Sequence, residues 1–191
     1  MPLKVSFELS DRDLRYFRKK MREAREGAKA RDESEVIAAT ASLLEEMREK
    51  SAPDFVTERI AKLEVMVKML DDREWKISGP DRTHVLNAMA YFAEAEDLIP
   101  DAIPAIGFLD DAIMVELVVK ELEHEIDAYH DFCDFRALQE KMRGKRENEI
   151  TREEWLQGKR SQLHSRMRRR RRTRRSRGRG HGGDRVPFAL W

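Results

Sequence analysis

Residues 95–112 read AEDLIPDAIPAIGFLDDA, and this stretch decides the fold because it reverses the chain between two segments with helical periodicity. Its two prolines push the residues before them into extended backbone, and Gly107 can adopt the positive φ that other residues resist. Asp110 and Asp111 follow where the first turn of a helix favours acceptors and negative charge. The stretch therefore predicts a helix–turn–helix hairpin whose second helix is capped by aspartate.

Apolar residues recur every three or four positions on both sides of this hairpin, with no alternation of period two. That spacing is the 3.6-residue period of amphipathic α-helices. Three helices are expected over about 10–29, 32–50 and 51–70, and a fourth leads into the hairpin. The fold class is therefore all-α, a compact bundle of about five helices. The long fifth helix carries its apolar face at Met114, Val118, Leu122, Ile126, Tyr129 and Cys133.

A sixth helix and a basic C-terminal tail follow the bundle. The tail has too few apolar residues to offset the entropy lost on ordering, so we expect it to be disordered. We divide the chain into a helical domain at 1–143 with the signature hairpin at 84–122, a linker with the tail helix at 144–165, and a disordered Arg-rich tail at 166–191.

The segment DLIPDAIPAIGFLDDAI, residues 97–113, resembles the signature of the YkvA-like family, the domain of unknown function 1232. The shared pattern is Asp-Leu-Ile-Pro-Asp, then a proline, a glycine and an Asp-Asp pair that opens a helix. A less specific resemblance to a soluble bacterial branch extends over about residues 5–137, although residues 94–96 lack the Ser-Pro of many members. The resemblance implies a helical fold and no established activity. The structural signature residues that it marks are Asp97, Pro100, Asp101, Pro104, Gly107, Asp110 and Asp111.

The net charge of +1 averages two opposite parts of the chain. Residues 159–191 hold 13 Lys and Arg against one Asp, a net charge of +12. Residues 1–158 hold 25 basic and 36 acidic side chains, a net charge of −11. An acidic body therefore carries a strongly basic tail, and such asymmetry bears on the partners of a protein and not on its fold.

The run of arginines in the tail is the strongest functional signal in the sequence. Ten of the fourteen residues from 166 to 179 are arginine and none is lysine. The planar guanidinium suits two-point contacts with phosphate, and RSRGRG resembles disordered Arg-rich segments that bind RNA. We therefore expect a non-enzymatic binding or adaptor protein whose tail engages a polyanion, with RNA or DNA as the favoured partner; a solvated tail is the plainer alternative. The candidate polyanion-binding residues are Arg166, Arg168, Arg169, Arg170, Arg171, Arg172, Arg174, Arg175, Arg177 and Arg179.

Two rival functions stay open. One is a membrane-surface protein, because anionic lipid headgroups attract a basic tail and the closing VPFALW can act as a shallow apolar anchor. The other is a metal-dependent enzyme, because Asp97, Asp101, Asp110 and Asp111 could converge on Mg²⁺ or Ca²⁺. We favour helix capping and loop hydrogen bonds over metal binding as the explanation of these aspartates.

Enzyme motifs are missing from the sequence. We find no glycine-rich phosphate loop, G-x-S-x-G, H-E-x-x-H or paired C-x-x-C, so no catalytic residue and no cofactor is expected. Glu121 and His124 form an E-x-x-H as in di-iron bundles, but we interpret His124 as part of a solvated helix face. The single Cys133 excludes an internal disulfide. Together with the absence of a signal sequence and of any run that could span a bilayer, it predicts a cytoplasmic protein without a transmembrane helix.

Overall fold

The computed structural model describes residues 8–28, 32–49, 54–93, 98–99, 108–143 and 149–178. These residues contain helices and no strand, which confirms the all-α class. The described residues divide into two compact units. The first holds those up to Lys68 and those between Ser78 and Glu121, and the second holds Met69–Ile77 and the described residues from Leu122 onward. The helices are α1 (Asp11–Ala28), α2 (Glu33–Glu49), α3 (Asp54–Asp71), α4 (Gly79–Met89), α5 (Leu109–Glu121), α6 (Glu123–Arg143) and α7 (Glu149–Gly178), with a 3-10 turn at Ala90–Ala93.

Local side-chain bonds start the first two helices. The backbone N–H and the hydroxyl of Ser10 both donate to the carboxylate of Asp13, at 2.8 and 2.6 Å. The carboxylate of Asp32 accepts from the hydroxyl of Ser34 at 2.7 Å, and the backbone N–H of Asp32 donates to Glu35 at 3.3 Å. Both arrangements satisfy amide groups that a helix start leaves without an intrahelical partner. The predicted start of α1 at Ser10 is thereby confirmed.

In the first unit, the end of α4 and the 3-10 turn form the centre of the packing. The 3-10 turn contacts α1, α2 and α4, and α5 contacts α1 and α4. Glu116 on α5 accepts from the ammonium of Lys62 on α3 at 2.6 Å, which adds a charged contact between these helices. The core of the unit consists of fully or almost fully buried apolar side chains, among them Val56, Leu63, Met66, Val85, Met89, Ala112, Met114 and Val118.

In the second unit, α6 and α7 pack against each other along their lengths. Trp75, in the turn after α3, is fully buried between them. Its ring lies 5.2 Å from the ring of Phe132 on α6 and 4.3 Å from the ring of His164 on α7. An indole buries more apolar surface than any other side chain, so this one residue supplies the centre of the unit.

Two predictions about the C-terminal half are wrong. The predicted fifth helix is interrupted at Leu122, so that α5 ends and α6 begins there. Residues 166–178, expected to be disordered, instead continue α7 through Gly178. The physical reason is that carboxylates on α6 pair with the arginines of this segment. The small number of apolar residues in the tail did not reveal these partners. The rest of the predicted tail, residues 179–191, lies outside the described residues.

Candidate functional site

Asp110 fastens the signature hairpin. Although it lies at the start of α5, only 1% of the residue is exposed. Its Oδ2 accepts from the backbone N–H groups of Leu98 and Ile99, at 2.8 and 3.1 Å, and from the hydroxyl of Tyr91 at 3.4 Å. The expected cap of α5 therefore takes another form, because the carboxylate binds the preceding loop. Hydrogen bonds to a charged acceptor are stronger than neutral ones, so this one side chain holds the loop to the helix.

The residue before α5 has an unusual backbone. Phe108 has φ of 63°, in the left-handed region, and its side chain is 3% exposed. Such a conformation is costly for a residue with a large side chain, and burial of the phenyl ring offsets that cost. We had expected the positive φ at Gly107, which lies outside the described residues.

Of the other signature residues, the structure describes Asp111. Asp97, Pro100, Asp101 and Pro104 lie outside the described residues, and Asp111 is described and buried. Among the side chains that the structure describes, no three His, Cys, Asp or Glu residues are grouped so that they could hold a metal ion. Metal binding by the four aspartates thus stays an untested rival to the helix capping and loop hydrogen bonds that we favoured.

The E-x-x-H pattern is divided between two helices. Glu121 is the last residue of α5, whereas His124 is in the first turn of α6. The carboxylate of Glu121 accepts from the guanidinium of Arg25 on α1 at 2.6 Å. His124 is half-buried, not on the solvated face that we expected. A di-iron site needs glutamate and histidine on one continuous helix, and the break at Leu122 removes that condition.

Cys133 lies in a polar cluster beside the turn after α3. Burial raises the pKa of its thiol. Next to it, Asp72 accepts from the backbone N–H groups of Glu74 and Trp75 at 2.8 and 3.0 Å and from Arg136 at 2.9 Å. Burial acts to raise the pKa of Asp72, but these donors outweigh it and hold the pKa below its ordinary value. A thiol with a raised pKa is a poor nucleophile at neutral pH, so the cluster has the properties of a structural one.

The sequence reasoning missed a buried carboxylate on α6. Glu125 is completely buried, whereas Ile126, which we predicted on the apolar face, is only half-buried. The Oε1 atom of Glu125 accepts from the guanidinium of Arg171 on α7 at 2.9 Å. A buried carboxylate is costly unless it is paired, so Arg171 serves the fold and is not open to an external partner in this state.

Three further acid–base pairs continue from this buried one along α6 and α7. Arg166 pairs with Asp131, Arg170 with Asp127 and Arg174 with Glu123, the last two at 3.6 Å. Both series advance by four residues, in opposite directions along the chain. We call these three pairs, together with Glu125–Arg171, the charge ladder. The spacing of four on both helices was visible in the sequence, but a match between segments more than thirty residues apart is not a local signal.

Three other arginines of α7 have exposed side chains. Arg168, Arg169 and Arg172 are exposed. On an α-helix, positions 168 and 172 are one turn apart and face opposite to positions 170 and 174. We call these three residues the outward arginines. The side chains of Arg175, Arg177 and Arg179 lie outside the described residues. In the described part of the predicted polyanion-binding set, four arginines are paired with carboxylates of α6, and the side chains of Arg168, Arg169 and Arg172 are exposed.

Comparison with known proteins bears on the first unit. Residues 82–117, which run from α4 through the hairpin into α5, match the family model described as a protein of unknown function (DUF1232). This range agrees with the predicted signature hairpin at 84–122. Among curated proteins and solved structures, no match to the chain is significant. Of the helices described, none has the length and apolar character that crossing a membrane requires.

Proposed function

We propose that this chain, whose residues 82–117 match the DUF1232 family model, is a non-enzymatic binding or adaptor protein. It engages RNA or DNA through the outward arginines of α7. The observation that carries the proposal is the exposed row of Arg168, Arg169 and Arg172 on one side of a folded helix. The backbone of a nucleic acid is a regular row of negatively charged phosphates. The helix holds its guanidinium groups at fixed spacing, so that several of them can face such a row.

The composition of α7 supports the same conclusion. The helix holds twelve arginine or lysine residues against three glutamates, a net charge of +9. The charge ladder pairs four of these cations with carboxylates of α6, and Arg168, Arg169 and Arg172 are exposed. Contacts with phosphate carry no information about base sequence. We therefore propose binding with little sequence preference.

A cytoplasmic and bacterial setting is part of this proposal. The thiol of Cys133 is free, which fits a reducing compartment, and the sequence resembles a soluble bacterial branch of the family. The adaptor role rests on the basic face of α7. Because both units belong to one chain, a nucleic acid bound by this face is linked to any partner that the first unit binds.

The test compares two triple variants of the full chain. Arg168→Gln/Arg169→Gln/Arg172→Gln removes the outward arginines, and Arg15→Gln/Arg18→Gln/Arg22→Gln removes three exposed arginines from α1. Both variants lose the same charge. Each phosphate contact is worth roughly a factor of five to eight near 0.1 M salt. We expect the α7 variant to bind a labelled single-stranded RNA and a DNA duplex on the order of 100-fold more weakly, and the α1 variant to bind within about threefold of the parent.

Equal weakening in both variants would mean that only net charge matters, and the proposal would fail. Vesicles that contain phosphatidylserine provide the second arm of the test. If the parent protein floats with these vesicles and binds neither nucleic acid, the membrane-surface function replaces the one proposed here.

A further inference from the structure

The attachment of α7 to α6 changes in character after Met167. Before that point, Leu156, Leu163 and Met167 are each 1% exposed or less. After it, residues 168–178 read RRRRRTRRSRG and contain no apolar side chain. The first part of α7 is therefore fixed by hydrophobic burial, whereas the last three turns depend on polar and charged contacts.

The outer pairs of the charge ladder are of a kind that salt weakens. In the pair of Arg170 and Asp127, about half of each side chain is exposed, at 49% and 54%. The pair of Arg174 and Glu123 is similarly accessible. Exposed pairs of this sort are individually weak, and ions screen them. Neighbouring arginines also repel one another within the helix. Once salt screens the carboxylates, little attraction is left between this segment and α6.

The carboxylates of α6 occupy the guanidinium groups as phosphates would. Glu123, Asp127 and Asp131 recur every four residues, which is about 6 Å along a helix axis. They present α7 with an extended row of negative charge. Glu125 adds a buried anion to that row, at 2.9 Å from Arg171. Phosphate replaces the carboxylate of the buried pair less readily than those of the exposed pairs, because a buried carboxylate that loses its partner must be hydrated.

We infer that α6 is an internal competitor for nucleic acid, and that binding releases residues 168–178 from α6 so that the ladder arginines also reach phosphates. This inference rests on the proposed function and adds its regulation. Before release, the exposed outward arginines contact the nucleic acid, whereas Arg170, Arg171 and Arg174 are paired with carboxylates of α6. In the released state Arg170, Arg171 and Arg174 join them, and the freed carboxylates of α6 are hydrated. The protein then binds long or densely charged polyanions in preference to short ones, because only these supply enough contacts to displace Arg170, Arg171 and Arg174 together.

One test removes the competing charges without touching α7. Glu123→Gln/Asp127→Asn/Asp131→Asn replaces three exposed ladder carboxylates by neutral groups of the same shape. The control is Glu26→Gln/Glu45→Gln/Glu49→Gln, which removes three exposed carboxylates from α1 and α2. We expect the ladder variant to bind RNA at least 10-fold more tightly than the parent near 0.1 M salt, and the control within about threefold. Equal tightening by both, or no tightening by the ladder variant, would overturn the inference.

A second test needs no nucleic acid. Raising the salt from about 0.05 M to about 0.5 M screens the outer pairs. Amide hydrogen exchange should then accelerate in residues 168–178 and stay unchanged in residues 156–167, where the helix is held by apolar burial. Unchanged exchange in both segments would show that α7 is not released, whatever it binds.

The two proposals fail in different ways. Loss of the proposed function would appear as a parent protein that binds no nucleic acid, or whose binding ignores the outward arginines. The inference alone would be refuted if the parent binds through the outward arginines and the ladder variant binds no more tightly than the parent.

Discussion

Substitution of Asp110 should destabilise the first unit more than the loss of an ordinary helix cap. The carboxylate accepts two backbone N–H groups, at 2.8 and 3.1 Å, from a loop about eleven residues earlier in the chain. A hydrogen bond to a charged group contributes about 1.5–3 kcal/mol. The donors at Leu98 and Ile99 are half-buried, so water can recover part of the loss. We expect Asp110→Ala to cost about 2–4 kcal/mol, against about 1 kcal/mol for a typical cap.

Thermal unfolding followed by circular dichroism measures this cost. For a chain of this size, each kcal/mol shifts Tm by roughly 2–4 °C, so Asp110→Ala should lower Tm by about 5–15 °C. Asp110→Asn keeps one oxygen acceptor without the charge and should lose about half as much. Tyr91→Phe removes the hydroxyl that donates to Asp110 at 3.4 Å, which is long for a hydroxyl donor, and should cost less than Asp110→Ala. A cost below about 0.5 kcal/mol for Asp110→Ala would refute the role of this residue in holding the hairpin.

Three further predictions concern the second unit. Truncation after Gln162 removes the buried Leu163 and Met167 and should cost about 4 kcal/mol or more by urea unfolding. Truncation after Met167 keeps both side chains and should cost less, although it removes Arg171, the partner of the buried Glu125; equal costs would show that the ion pairs dominate. The pKa of Asp72 is depressed in the folded state, so the ionised side chain stabilises the fold above its ordinary pKa near 3.8. This stabilisation is lost as the pH falls through the lower pKa of the folded state. Asp72→Asn should therefore be less stable than the parent at pH 7, with a difference that shrinks below pH 4, and a difference independent of pH would contradict the assignment. Burial raises the pKa of the Cys133 thiol, so its alkylation at neutral pH should be slow in the folded chain and fast in denaturant; rapid alkylation of the folded chain would mean that the thiol is accessible and ionised.

The helices of the first unit were predictable because their signals are local. Ser10 and Asp13 are three residues apart and bond to each other, and Leu14 and Met21, two apolar residues at helical spacing in α1, are buried. The family signature rests on the same kind of evidence, a fixed pattern of prolines, glycine and aspartates within seventeen residues. Its agreement with the matched range 82–117 follows from that locality.

The errors occurred where distant residues decide the outcome. The end of α7 has no apolar side chain after Met167, so a count of core-forming residues predicts disorder. What orders residues 168–174 is a set of carboxylates on α6, up to about fifty positions earlier in the chain. Glu125 was missed for the same reason, because an acid is assigned to the core only when its cation is known. Asp110 was predicted to cap its own helix. Its bond to the preceding loop depends on the tertiary path of that loop, which no local pattern indicates.

The salt dependence of RNA binding tests the central claim most directly. Each phosphate contact contributes about −0.7 to −0.9 to the slope of log K against log salt. The three outward arginines, Arg168, Arg169 and Arg172, should therefore account for about 2 to 3 of the slope of the full chain. The account predicts that the variant with glutamine at these positions gives a line shallower by that amount, and that the α1 control variant gives the slope of the parent. Parallel lines for the parent and the α7 variant would contradict the claim that this face of α7 binds nucleic acid.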